Sequence, residues 1–354
     1  MRRVFAFLFL AVLGLAPATA QAEDLYSVKD IPVDASAAAS SEAQAAAINS
    51  GRARAFDILF KRIVRQQDWA KKPQLDDLSL QRLVRSYTVA NERRSTTRYT
   101  GKVTYIFNPD AVRRLFRSKA IPFVDVQAKP VLVIPMAPNY AVHGAWTDMI
   151  AANKTSSAVT LALPLGDAMD SSALTGIDFS TVSWQDLEPL ASRQQATEAY
   201  LVLATAGGGQ ITVKIRRVGP GASPPISDVI VPVAPGTPAQ KSYGDAAKAT
   251  AAAIASAWKM RSAIDFSQRS RLTADVAIES LPQWGQMLQK LSTIPTITEV
   301  NVVAMNMGMA RVSLVYAGSA DQLRDALSQA SFDLSAKPGG GWTLTPAQVP
   351  LAMP

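Results

Sequence analysis

The 354-residue chain contains no cysteine and a single histidine, His143. Without thiols there is no disulfide framework, no lipidated cysteine anchor, no catalytic thiolate and no thiolate metal site. One imidazole cannot build a histidine cluster, so only a carboxylate site for a hard cation stays open. Past the N-terminus, no apolar run approaches the roughly twenty residues that a spanning helix needs. What the chain does have is 48% apolar residues and a mean hydropathy of +0.08. That is enough to hold cores together by packing alone.

The first residues read MRRVFAFLFLAVLGLAPATAQA. Arg2 and Arg3 supply a positive start, and Val4 to Leu15 form an apolar run of about a dozen residues, too short to span a bilayer. Ala20-Gln21-Ala22 is a small-residue exit ahead of Glu23 and Asp24. The expectation is a cleavable secretory signal over 1–22, cut after Ala22 or Ala20, leaving a periplasmic protein. The paired arginines keep twin-arginine export open beside ordinary secretion.

The net charge of +8 is unevenly placed. Residues 23–129 carry nineteen Lys and Arg against twelve Asp and Glu, whereas 130–270 balance at ten each and 271–354 carry five against six. The basic excess therefore belongs to the first region. An exported chain rarely meets nucleic acid, so a partner for that surface is expected to be anionic lipid, cell-wall polymer or an acidic protein.

Hydrophobic periodicity predicts three modules: a basic α/β domain over 23–128, a second α/β domain over 129–270, and a third over 271–346, with a loose tail over 347–354. In the first, a strand over 25–33 precedes a long helix over 36–66, whose Phe56, Leu59, Phe60 and Ile63 share one face. Strands follow over 86–90 and 99–107, then a helix opened by Asn108-Pro109. In the second, 131–135 is a continuous apolar run suited to a buried strand. Predicted helices over 145–153, 184–195 and 238–264 alternate with strands over 159–163, 200–204, 211–215 and 229–233. The third reads β-α-β-β-α-β with a terminal strand pair, the ferredoxin-like order. The fold class expected is therefore α/β (α+β), three small sandwiches, the last ferredoxin-like.

Chemistry-bearing patterns are sparse. Asp167, Asp170 and Asp178 lack the alternation and glycine of a calcium loop and are read as surface acids. No G-x-S-x-G elbow exists to receive His143, which is read as a loop residue. Gly207-Gly208-Gly209 runs into Gln-Ile-Thr-Val, so it is a hairpin turn and not a phosphate cradle. Trp146, Trp184, Trp258 and Trp284 fall in helical segments and are read as core anchors. Arg82, Arg85, Arg93, Arg94 and Arg98 form the one basic cluster that could hold an anion, with Arg93 and Arg94 read as exposed loop charges.

Several stretches carry a resemblance. They include Leu25-Tyr26-Ser27-Val28, Leu59-Phe60-Lys61-Arg62, Leu75-Asp76-Asp77, Arg98-Tyr99, Phe107-Asn108-Pro109, Lys129 to Pro135 and Leu163-Pro164-Leu165-Gly166-Asp167. Together they resemble the bacterial domain of unknown function 2066 family in its alphaproteobacterial form, which implies an exported envelope protein and supplies no catalytic residues. The strand at 131–135, with Trp184 ahead of Tyr200-Leu201-Val202-Leu203, is similar to the amino-terminal domain of TolB-like and curli-secretion-type envelope proteins. That likeness implies docking to other proteins, although Ala204-Thr205-Ala206 stands where a glycine is usual. The expectation is a non-catalytic, cofactor-free periplasmic protein that binds envelope proteins. The alternative is a binder of an anionic lipid headgroup or cell-wall polymer through the first region.

Overall fold

A computed structural model describes residues 25–125, 127–136, 140–152, 157–220 and 225–346. The leader over 1–22 and the tail over 347–354 lie outside the described residues. The first sheet uses β1 (Ser27–Ser36), β2 (Val84–Arg94) and β3 (Arg98–Phe107), paired antiparallel in the order β1-β3-β2. Alternation along β3 turns Tyr99, Val103, Tyr105 and Phe107 inward, all fully buried. Against them lies α1 (Ser40–Ile63), whose small Ala43, Ala47, Gly51 and Ala55 let its axis come close. A Cβ on Gly51 would stand 2.5 Å from the Tyr105 hydroxyl and 2.6 Å from Val33 Cγ1.

Two short elements that periodicity did not reveal follow α1: a 3-10 turn over Gln66–Lys71 and α2 (Asp77–Leu83), capped by Asp76. At α3 (Pro109–Ser118), the Asn108 side-chain Oδ1 accepts from the N–H groups of Asp110 and Ala111, as the Asn-Pro signature predicts. Phe116 of α3 stacks edge-on against Phe60 at 5.6 Å and Phe123 at 5.3 Å. Those rings close the bottom of the first core.

The second sheet is built from β4 (Val131–Pro135), β5 (Leu161–Ala162), β6 (Ala199–Gly207), β7 (Gln210–Val218) and β8 (Val229–Pro232), in the order β5-β4-β6-β7-β8. Its helices are α4 (Tyr140–Ala152), α5 (Ala168–Leu174), α6 (Trp184–Arg193) and α7 (Ala239–Ser262). The unbroken apolar run of β4 has its cause here, because both faces are covered. Val131 and Val133 pack with Trp146, Met149 and Trp258, while Leu132 and Ile134 pack with Leu187 and Leu190. Gly208 and Gly209, at φ of 59° and 74°, make the two-residue turn between β6 and β7. The strand expected over 159–163 shrinks to two residues, since only Leu161 and Ala162 find partners on β4.

One continuous core runs from Leu25 to Ala263, so the first two sheets share their packing. The buried Lys259 of α7 donates to the carbonyls of Lys61 at 2.8 Å and Val64 at 3.1 Å, capping the end of α1. Phe123 and Ile264 exchange backbone hydrogen bonds across the same seam.

The third sheet has its own core. It comprises β9 (Arg269–Ala277), β10 (Ile297–Met305), β11 (Met309–Ala317), β12 (Phe332–Ala336) and β13 (Trp342–Pro346). The helices α8 (Leu281–Ser292) and α9 (Ala320–Gln329) cover one face with Trp284, Met287, Leu291, Leu323 and Leu327. The β-α-β-β-α-β succession is present, with one elaboration. In the order β10-β11-β9-β13-β12, the last strand inserts between β9 and β12 and pairs parallel to β9. β10 stands at one edge of this sheet and β12 at the other. The chain is thus a mixed α/β protein of three sheets, each backed by helices.

Candidate functional site

The five arginines singled out from the sequence do not converge. Arg82 closes α2 and Arg85 opens β2, both exposed. Arg93 sits at the other end of β2, about 26 Å away at roughly 3.3 Å per residue. Arg93 and Arg94 are not loop residues: they lie within β2 and pair with Thr100 and Tyr99. Their partners fix their directions. Tyr99 is buried against α1, so Arg94 turns inward, donating to Gln44 Oε1 at 2.5 Å and lying 5.7 Å from the Tyr99 ring. Arg93 therefore turns to the opposite face. Arg98 forks onto Asp34 across β1, with Nε and Nη2 at 3.0 and 2.6 Å from its two oxygens. That grip holds the Asp34 carboxyl below its ordinary value.

What β2 and β3 bring together instead is a groove of about 770 Å³ at the far end of the hairpin. Its lining includes Arg54 from α1, Arg93 and Asn91 from β2, Lys102 from β3, and the acids Asp34 and Glu92. The local sequence explains the shape. A bulge between Ala90 and Arg93 places Asn91 in the left-handed region at φ 55°, a conformation that asparagine tolerates. Gly101 admits the bulged strand: a Cβ there would meet Val89 Cγ1 at 3.1 Å and the Ala90 carbonyl at 3.4 Å. Arg54 and Lys102 carried no sequence signal beyond the regional charge excess; Lys102 lies on the β3 face opposite the buried Val103, and Arg54 belongs to α1.

A second surface lies at the edge of the third sheet. β10 exposes Val302 (47%), Val303 (60%) and Met305 (51%), and the turn after it exposes Met307 fully, with Met309 at the start of β11 46% exposed. From Ile297 to Met309 the only charge is Glu299, and there is no lysine, arginine or proline. Edge strands are ordinarily blunted by such residues, so an open edge with a single charge is unusual. The sequence signal was there: the run Val-Asn-Val-Val-Ala-Met-Asn-Met-Gly-Met is too apolar on both faces for a strand with one solvated side.

The remaining charged clusters hold the fold together. Asp125, buried, accepts from Arg113 Nε at 2.8 Å and from the Tyr26 hydroxyl. Asp167 caps α5 and, with Asp170, binds Arg193. Asp170 is 1% exposed, so it is a core ion-pair residue and not a surface acid. Residue 143 falls within α4 and not in a loop. Trp146, Trp258 and Trp284 are buried as anchors, and Trp184 packs partly buried against the α6 core. Among the described residues, no group of three or more His, Cys, Asp or Glu is placed to hold a metal ion. No described helix is long and apolar enough to cross a membrane.

By its sheets the chain is an α/β protein of several sandwiches with a basic groove and an apolar sheet edge. No protein-family model matches it, and no curated protein matches it. Among solved structures it is similar to TolB from Acinetobacter baumannii at 12% identity and a TM-score of 0.24, covering 43% of this chain and 32% of that one. The chain therefore spans about a third of that TolB structure. It is also similar to formyltetrahydrofolate deformylases from Pseudomonas putida KT2440 (9% identity, TM-score 0.25) and Burkholderia mallei ATCC 23344 (13%, 0.25). Those cover 65% and 66% of this chain and 94% of each of theirs. At these TM-scores the likenesses carry no argument.

Proposed function

We propose that this is an exported, non-catalytic binding protein of the cell envelope that holds a partner protein on the open edge of its third sheet. The observation that carries the reading is the β10 edge with three exposed apolar side chains, Val302, Val303 and Met305, continued by Met307 in the turn. Export rests on the leader over 1–22. The occupant is an extended segment of another protein that adds a strand beside β10. Main-chain hydrogen bonds would supply affinity, and apolar side chains seated on Val302, Val303 and Met305 would supply specificity. Charge narrows the partner further: its strand carries no acid opposite Glu299, the single charge on β10.

A photo-crosslinking residue placed at Val303 in the full chain, exported in a Gram-negative host, tests this. The expected result is one reproducible adduct with a different protein, whose purified form binds the chain. That binding should fall at least about tenfold when Val302→Lys and Val303→Lys introduce charge, in line with the loss of a central interface contact. Adducts confined to a second copy of this chain, or a partner whose affinity ignores both lysines, would overturn the proposal.

A further inference from the structure

We infer that the β2 edge of the first sheet takes an acidic, extended segment of another protein, one carboxylate of which pairs with the buried Arg52 of α1. The inference is independent of the β10 edge. Arg52 is only 7% exposed. Its Nη1 donates to Asn49 Oδ1 at 3.0 Å, its Nε is buried with no acceptor, and it meets no carboxylate among the described residues. Asp57, the nearest acid along α1, is held by Lys61 and Lys72. Arg113, Arg217 and Arg261, all less buried than Arg52, each have a carboxylate. A guanidinium withdrawn from water is costly unless an anion compensates it, so the missing counterion marks a place where a partner can supply one.

The helix periodicity fixes the side of α1 on which Arg52 stands. Gln44, Ile48 and Arg52 follow at four-residue steps and so share one face. Gln44 on that face meets Arg94 of β2 at 2.5 Å. One turn on, the Ile48 carbonyl accepts from the hydroxyl of Tyr105, the residue of β3 that lies opposite Tyr87 of β2. Arg52 therefore stands on the β2 side of the helix. Tyr87 and Val89 pair with the buried Tyr105 and Val103, so their side chains rise from the same face of the sheet, towards α1. The helix packs chiefly over β1 and β3, which leaves Tyr87 46% exposed. The result is a shelf beside α1, with Tyr87 and Val89 as its floor and the Arg52 face of the helix as its wall.

The shelf adjoins an open edge. In the order β1-β3-β2, no strand among the described residues pairs with the outer side of β2, so a row of its N–H and C=O groups is left for one. An extended segment added there continues the sheet and sets every second side chain on the α1 side, beside Tyr87. Glutamate at that position faces Arg52, where a charge-assisted hydrogen bond forms away from bulk water. The sign of the edge agrees, since β2 carries Arg85, Arg93 and Arg94 against the single acid Glu92.

Two measurements on the full mature chain test the inference. The first is thermal melting of Arg52→Met. With no counterion in the unbound protein, the apolar side chain should leave the melting temperature unchanged or raise it. A fall of more than about 3 °C would mean that Arg52 serves the fold, and overturns the inference. The second is calorimetric titration with an end-blocked octapeptide that alternates glutamate and valine, beside a twin with glutamine for glutamate. Binding of the acidic peptide alone is expected. Arg52→Met should weaken it at least about tenfold, as the loss of a hydrogen bond to a charged group does. Arg93→Gln removes the same charge from the opposite face of β2 and should weaken it far less. Equal weakening by the two variants would mean diffuse attraction to a basic strand and overturns the inference. So does the absence of binding, or equal binding of both peptides. Light scattering that finds the natural chain dimeric and Arg52→Met monomeric would make the occupant a second copy, which also overturns it.

Discussion

Replacing Glu198 by glutamine removes a carboxylate shared by two guanidinium groups at the seam where the third sheet meets the second. Arg261 Nη2 lies 2.9 and 3.0 Å from the two Glu198 oxygens and 3.1 Å from the Tyr200 hydroxyl, and Arg217 Nε donates to the same carboxylate. The side chains of Glu198, Arg217 and Arg261 are only 8%, 11% and 18% exposed, so solvent screens them poorly. Breaking such a pair from one side leaves charge buried without its counterion, a loss of about 3–5 kcal/mol. Here two guanidinium groups are stranded, while Asp325 of α9, which feels both arginines, offers only partial relief. The expected loss for E198Q is therefore about 3–5 kcal/mol in urea unfolding at neutral pH followed by circular dichroism. The double variant Glu198→Gln with Arg217→Leu removes one stranded charge, so it should be less destabilised than the sum of the single changes, with a coupling of about 1–3 kcal/mol. A single-variant loss below about 1 kcal/mol, the size expected of a surface pair, would refute the reasoning. Strict additivity in the cycle would do the same.

Two further predictions follow from packing and charge. Gly51→Ala gains about 1 kcal/mol of helix propensity, yet its new methyl collides with a Tyr105 hydroxyl already fixed to the Ile48 carbonyl at 2.7 Å. Overpacking of this kind costs about 1–3 kcal/mol, so a lower melting temperature is expected and a higher one would show that the contact yields freely. Asp275 is held well below the ordinary carboxylate range by the Arg311 hydrogen bond and then by Lys337. Because its folded value is depressed, its stabilisation is present above the unfolded value near about pH 4 and is lost as pH falls towards the folded one. The stability gap between the natural chain and Asp275→Asn should therefore narrow below about pH 4; a gap that stays constant or widens in acid would contradict the assignment.

Local signals placed most elements because they are written in short range. The stripe Phe56, Leu59, Phe60 and Ile63 marks α1, Asn108-Pro109 marks the start of α3, and Gly208-Gly209 marks a turn whatever surrounds it. The elements that escaped, α2 and α5, are single short helices with too few turns for periodicity to register. The strand over 159–163 promised more than β5 delivers, because strand length depends on a neighbour and β4 offers pairing to two residues alone. The insertion of β13 beside β9 likewise had no local sign, since it is a choice between partners distant in sequence.

The candidate sites divide along the same line. Composition alone located the basic excess in residues 23–129, and the absence of cysteine with one histidine set the chemistry the chain can draw on. Grouping Arg82, Arg85, Arg93, Arg94 and Arg98 by nearness in sequence could not say which would meet. A strand carries neighbours to opposite faces, so Arg93 and Arg94 part, and pairing with β3 sets Arg93 beside Thr100 on the face away from α1. In the third sheet the apolar run through Val302 and Val303 was visible as residues, but its exposure was not. Only the strand order, which leaves β10 without an outer neighbour, shows that this predicted strand is an open edge.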